Sequence, residues 1–145
     1  MQSLTMLILD SQKITDLSPL SGLENLEKLV LNKNQITDLT PLAGLTGLRI
    51  LELNNNKVEG LSPLAGLTGL EELVIQGNQI VDVSPLGKIG KLWKLDLRKN
   101  KLTDISPLAG LENLRELYLT GNKVKDYSPL KAMYGHLEQS DFKIK

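Results

Sequence analysis

Residues 26–47 read LEKLVLNKNQITDLTPLAGLTG, and this stretch decides the fold because the chain repeats it at a fixed period. Leu26, Leu29, Leu31, Asn34, Ile36, Leu39, Leu42 and Leu45 stand 3, 2, 3, 2, 3, 3 and 3 residues apart. The same spacing restarts at Leu48, Leu70, Leu92 and Leu114, and it already runs from Leu4. Six copies of 22 residues therefore span 4–135 without insertion. Seven apolar columns pass through all six copies, Tyr127 included, a regularity that marks a stacked-repeat architecture.

The spacings carry the physics. A step of two, as in Leu29-x-Leu31, is the strand period, so both leucines face inward while Lys28, Val30 and Asn32 face outward. The later steps of three suit a tight 3₁₀-like return. One copy cannot bury its leucines alone, so neighbours stack into a parallel sheet over a continuous core. Asn34, Asn56, Asn78, Asn100 and Asn122 share a column with Gln12, and a buried amide there can bond the backbone groups of the turn. All six prolines follow Ser or Thr, from Ser18-Pro19 to Ser128-Pro129, which reads as Ser or Thr capping a short helical turn. An aspartate stands two residues earlier in five of these six places (Asp16, Asp38, Asp82, Asp104 and Asp126), with Gly60 in the sixth, and is expected to cap the same turn.

The chain has 145 residues, enough for one domain spanning 1–145. With 41% hydrophobic and 3% aromatic residues, its core must be aliphatic. Lys+Arg and Asp+Glu number 17 each, which argues against nucleic acid or an anionic membrane as the main partner. No apolar run is long enough to insert in a membrane, and no signal peptide is recognisable after Met1. The absence of cysteine excludes disulfides, a zinc-thiolate site and a cysteine nucleophile.

The phrases NQITDLTPLAGLTGL (34–48) and NKLTDISPLAGLENL (100–114) closely resemble the leucine-rich repeats of bacterial internalin-type surface proteins. The resemblance covers the whole repeat region, and the DLSPLAGL-like return is its specific part. It implies an α/β fold, a right-handed leucine-rich-repeat solenoid with a parallel sheet on the concave face and 3₁₀ or short helical turns on the convex face. It further implies a cell-surface or secreted origin and a protein partner bound on the concave sheet. The phosphatase 1 regulatory subunit built from 22-residue repeats is similar in repeat length, so an intracellular scaffold docking on an enzyme is the alternative, with a structural or engineered repeat scaffold as a third. The Ser/Thr-Pro-Leu return looks more like the bacterial group. No helical cap before the first repeat and no wall-anchoring tail is recognisable.

Met1 falls in the column of Leu23 and Leu45, so the chain starts in mid-repeat and its first strand is expected to expose an uncapped edge open to self-association. At the other end the register slips by one, with His136 in the leucine column and Leu137 after it. Residues 136–145 are expected to cap the solenoid, with Leu137, Ser140, Phe142 and Ile144 alternating as a degenerate strand and Lys143 and Lys145 opposing further strand addition.

Specificity is expected on the outward strand positions. The central column reads Ile8, Val30, Glu52, Val74, Asp96 and Tyr118; Ile50 and Lys94 lie in one flanking column and Arg98 in the other. Trp93 occupies the strand-start column. Glu27, Arg49 and Glu71, and separately Glu72, Lys94 and Glu116, are expected to pair across strands as soluble decoration. Trp93, Tyr118 and Arg98 belong to the residue types enriched in binding hot spots and are expected to form an aromatic corner that anchors a protein partner. Met6, Ile8, Val30 and Ile50 form a second, apolar patch. Catalysis finds no support: His136 is the sole histidine and has no nucleophile signature around it. The Asp column lacks the converging carboxylates that calcium needs, and Ala65-Gly66-Leu67-Thr68-Gly69 is a repeat return without the Gly-Lys-Ser/Thr of a phosphate loop. No metal and no cofactor is expected.

Overall fold

Each 22-residue copy makes one coil: a three-residue strand, a turn at the buried asparagine, an extended return and a 3₁₀ turn. A computed structural model describes residues 3–144. The strands are β1 (Met6–Ile8), β2 (Lys28–Val30), β3 (Ile50–Glu52), β4 (Glu72–Val74), β5 (Lys94–Asp96), β6 (Glu116–Tyr118) and β7 (Gln139–Ser140). They form one parallel sheet in sequence order, each strand in register with the residue 22 positions on as far as β6. The 3₁₀ turns begin at Ser18, Thr40, Ser62, Ser84, Ser106 and Ser128, and a short helix α1 (Lys131–Tyr134) follows the last.

The core is the leucine columns. From Leu26 to Leu119 the column residues are essentially inaccessible, because each is covered by the same column one coil before and one coil after. Among the described residues the first coil has a neighbour on one side only, and Leu4, Leu7, Leu9 and Ile14 are partly exposed. A recess of about 200 Å³ opens there, lined by Leu9, Ile14, Leu17, Pro19 and Leu20 among others. Met1 and Lys145, to which the end-of-chain expectations refer, lie outside the described residues.

The asparagine ladder forms as expected. Asn78 donates its amide hydrogens to Leu53 O, Ile75 O and Gln76 O, and its Oδ1 accepts from Val58 N. Asn34, Asn56, Asn100 and Asn122 likewise tie consecutive coils together. The residue before each of these asparagines is left-handed: Lys33, Asn55 and Lys99 with φ 58°, 59° and 55°, Gly77 and Gly121 with φ 72° and 79°.

The turns differ from expectation in one respect. The half-in residue at each turn start is the apolar one before Ser or Thr (Leu17, Leu39, Leu61, Val83, Ile105, Tyr127), and no Ser or Thr side chain caps. Ser18 and its counterparts are already the first turn residue, so the aspartate two positions earlier takes the capping role. Asp16, Asp38, Asp82, Asp104 and Asp126 each accept the amide of the following Ser or Thr at 2.8–2.9 Å. The hydroxyls of Ser18, Thr40 and Ser84 turn back to donate to that same carboxylate.

At the C-terminal end the one-residue slip appears as expected: Glu116 pairs with Gln139 and Leu117 with Ser140. The expected alternating strand shrinks to the two residues of β7, because the rings leave the strand line. Phe142 is buried, stacked on Tyr127 at 5.1 Å and tilted against Tyr134 at 5.8 Å. Asp141 accepts hydrogen bonds from Leu119 N and from Thr120 N and Oγ1, satisfying donors that a further coil would otherwise take.

Candidate functional site

The outer face of the sheet is where the repeat rule leaves residues free to vary. Its central column runs Ile8, Val30, Glu52, Val74, Asp96, Tyr118 in direct register. Exposure along it is uneven. Ile8 is 56% exposed, whereas Val30 and Asp96 are buried at 5% and 4%. Glu52, Val74 and Tyr118, with Ile50 and Lys94 beside them, are half-buried. Stacked outward side chains stand roughly 4.8 Å apart, so a short residue between longer neighbours disappears beneath them.

Arg98, Asp96 and Tyr118 come together. Arg98 Nε donates to Asp96 Oδ1 at 2.9 Å and Nη2 to Oδ2 at 2.6 Å, a two-point geometry that only a guanidinium offers a carboxylate. The same guanidinium lies 5.2 Å from the centroid of the Tyr118 ring. The Tyr118 hydroxyl donates to Glu116 Oε1 at 3.0 Å. Burial, and after it that bond to Glu116, pushes the phenol up from its ordinary range, while the bond to Asp96 raises the guanidinium further. Both groups hold their ordinary neutral-pH charge and a fixed orientation.

Trp93 stands apart from this cluster. It lies one residue before β5, where its carbonyl accepts from Arg115 N and Glu116 N. Arg98 and Tyr118 belong to the opposite end of the same strands, so the expected corner resolves into two ends of one face. The face between them carries Lys94, which pairs in register with Glu72 and Glu116 yet forms no ion pair among the described residues. That second expected charge ladder is thus not made; Glu116 is engaged by the Tyr118 hydroxyl instead. The first one is made: Arg49 reaches Glu71 at 2.7 Å and Glu27 at 3.7 Å, and the bond to Glu71 holds that carboxyl below its ordinary range.

A side-chain ladder that the sequence reading did not predict runs along one strand-end column of the same face. Asp10 Oδ1 accepts from Asn32 N, Asn32 Oδ1 from Asn54 N, and Asn54 Oδ1 from Gln76 N. Asn32 also donates to Glu52 Oε1 at 3.1 Å, which fixes one more outward carboxylate. The signal was present as a run of Asp and Asn in one strand-end column. His136 is exposed, and among the described residues no group of three His, Cys, Asp or Glu is placed to hold a metal ion. No described helix is long and apolar enough to cross a membrane.

The chain matches the family described as Leucine Rich repeats (2 copies) three times, over residues 2–44, 46–88 and 91–132. Among solved structures it is similar to internalin C2 from Listeria monocytogenes str. 4b F2365, with 39% identity and a TM-score of 0.81 over 97% of this chain and 71% of that one. It is also similar to the internalin InlF of the same strain, with 26% identity and a TM-score of 0.74 over 99% of this chain and 56% of that one. The chain therefore spans just over half the length of InlF. Among curated proteins none matches it.

Proposed function

Because the chain belongs to the leucine-rich-repeat family in its internalin-like form, we propose that it is a non-catalytic protein-binding module whose partner sits on the open face of the sheet, and that it comes from a bacterial surface or secreted protein. The observation that carries this reading is the Asp96–Arg98–Tyr118 cluster. An arginine clamped by a carboxylate and laid against a ring has already lost most of its rotamer freedom, so a partner meeting it gives up little further entropy. Tyr and Arg also head the residue types that dominate binding energy. Trp93 and the half-buried Val74, Lys94, Ile50 and Glu52 extend the contact area from that anchor toward Val30 and Ile8.

Photocrosslinking tests the reading. A photoreactive side chain is placed at position 74 or 94 on the sheet face, and at 43 or 109 on the 3₁₀ face, before exposure to a bacterial or host surface-protein fraction. Adducts from the sheet face, with a purified adduct partner that binds Tyr118→Ala or Arg98→Ala about tenfold more weakly than the parent, support it. Adducts from the 3₁₀ face alone overturn it. A partner that proves to be an intracellular enzyme replaces it with the regulatory-scaffold alternative.

A second contact is favoured by a separate observation. Met6 and Ile8 are 53% and 56% exposed, and they sit on β1, which pairs with β2 alone among the described strands. An apolar strand with an open edge is a template for another strand, and we infer self-association through it.

A further inference from the structure

We propose that the corner formed by Lys99, Lys101, Lys123 and Lys125 is a binding site for an anionic polysaccharide, separate from the sheet face. These residues belong to the extended return after β5 and the one after β6. Buried residues alternate with them in the first return, Asn100 and Leu102, and half-buried ones in the second, Asn122 and Val124. The four lysines are therefore exposed on one side.

Backbone bonds hold the two returns in register: Lys99 N donates to Thr120 O and Lys123 N to Leu102 O. The 22-residue register sets Lys101 beside Lys123, roughly 5 Å apart, with Lys99 two residues before this pair on one return and Lys125 two residues after it on the other, so the four lysines form a staggered basic row. Gly121 contributes the floor. A Cβ at that position would meet Lys99 Cγ at 3.0 Å, so the glycine leaves the Lys99 stem free to lie against the next coil.

Lys101 and Lys123, directly opposite, repel one another, and among the described residues none of the four lysines forms an ion pair. The aspartates that follow, Asp104 and Asp126, already accept the amides of Ser106 and Ser128. An external anion is the remaining partner. Sulfate and carboxylate groups along a flexible chain suit separate, mobile point charges, whereas a duplex or single-stranded nucleic acid would be helped by rings to stack on. The rings beside this row are already engaged: Tyr127 is stacked on Phe142 and Tyr118 lies under Arg98. The chain's formal net charge of zero supplies no long-range steering, so binding is local and strongly weakened by salt.

The test uses the full chain and heparin as probe. The parent protein is expected to be retained on immobilised heparin at low ionic strength. The variant Lys99→Gln/Lys101→Gln/Lys123→Gln/Lys125→Gln is expected to bind at least tenfold more weakly. A charge-matched control, Lys28→Gln/Lys57→Gln/Lys88→Gln/Lys91→Gln, is expected to stay close to the parent, and thermal melts confirm that both variants fold. The proposal is overturned if the parent is not retained, or if the control loses as much as the corner variant. It is equally overturned if duplex DNA or vesicles of anionic lipid bind the parent as tightly as heparin.

Discussion

Arg98 lays its guanidinium 5.2 Å from the centre of the Tyr118 ring while holding Asp96 by two hydrogen bonds. Asp96 and Arg98 belong to one coil and Tyr118 to the next, so the ring contact joins the end of β5 to the end of β6 as well as presenting a surface. Arg98→Ala leaves the buried Asp96 carboxylate without its main donors and is expected to destabilise the fold by about 1–3 kcal/mol. Urea unfolding measures this. Asp96→Val/Arg98→Ala removes both charges, so its loss should be smaller than that of Arg98→Ala alone. A larger loss in the double variant would contradict the clamp.

The asparagine ladder is the more costly element to break. Asn78→Ala leaves the amide of Val58 without its acceptor and takes one of two asparagine donors from each of the carbonyls of Leu53 and Ile75, which keep Asn56 and Asn100. The expected loss is about 3 kcal/mol, from one buried amide left unsatisfied and two further hydrogen bonds removed. Asn78→Asp keeps the acceptor but loses the donors, so it should not rescue. Chemical denaturation of the two variants side by side distinguishes a hydrogen-bond role from simple space filling.

Two backbone substitutions should move stability in opposite directions. Lys33 occupies the left-handed region with φ 58°, where an L side chain is strained, so Lys33→Gly is expected to stabilise by a few tenths to about 1 kcal/mol. Gly121 has φ 79°, and a Cβ there would meet Lys99 N at 3.0 Å, so Gly121→Ala is expected to destabilise by about 1 kcal/mol or more. Melting temperatures in one buffer check both signs.

The capping aspartates make stability fall in acid. Asp16, Asp82 and Asp104 are held below the ordinary carboxylate value of 3.8 first by the amide of the following serine and then by its hydroxyl; for Asp38 and Asp126 the hydroxyl comes first. A carboxyl whose folded value is depressed contributes stability that is complete above its unfolded value and lost as pH drops through the folded one. Unfolding midpoints should therefore be level above about pH 5 and decline below about pH 4. Asp38→Asn/Asp82→Asn keeps a side-chain acceptor without a titrating group, so its decline should be shallower.

Association through β1 has a simple readout. Sedimentation equilibrium should show a concentration-dependent mass for the parent chain and a monomer for Met6→Lys/Ile8→Lys, since charge on an edge strand opposes pairing. A parent that stays monomeric at high concentration rules the contact out.

What the sequence by itself determined about this protein is the path of the backbone. A strict 22-residue period with strand-like and turn-like steps left one way to bury seven apolar columns. That same rule placed Asn34 to Asn122 inside, the slip at His136 and the outward columns.

Only the tertiary structure decided what the outward side chains do. Val30 and Asp96 share a column with Ile8, yet two are buried and one is exposed. Lys94 faces two glutamates and pairs with neither, while Arg98 turns back onto Asp96 and Tyr118. Trp93 stays at the far end of the strand. A period sets where each Cβ points; it does not say which of several partners a long polar side chain chooses from coils 22 residues away. That choice is settled by small differences in reach and geometry between competing hydrogen bonds, which exist only once the coils are stacked.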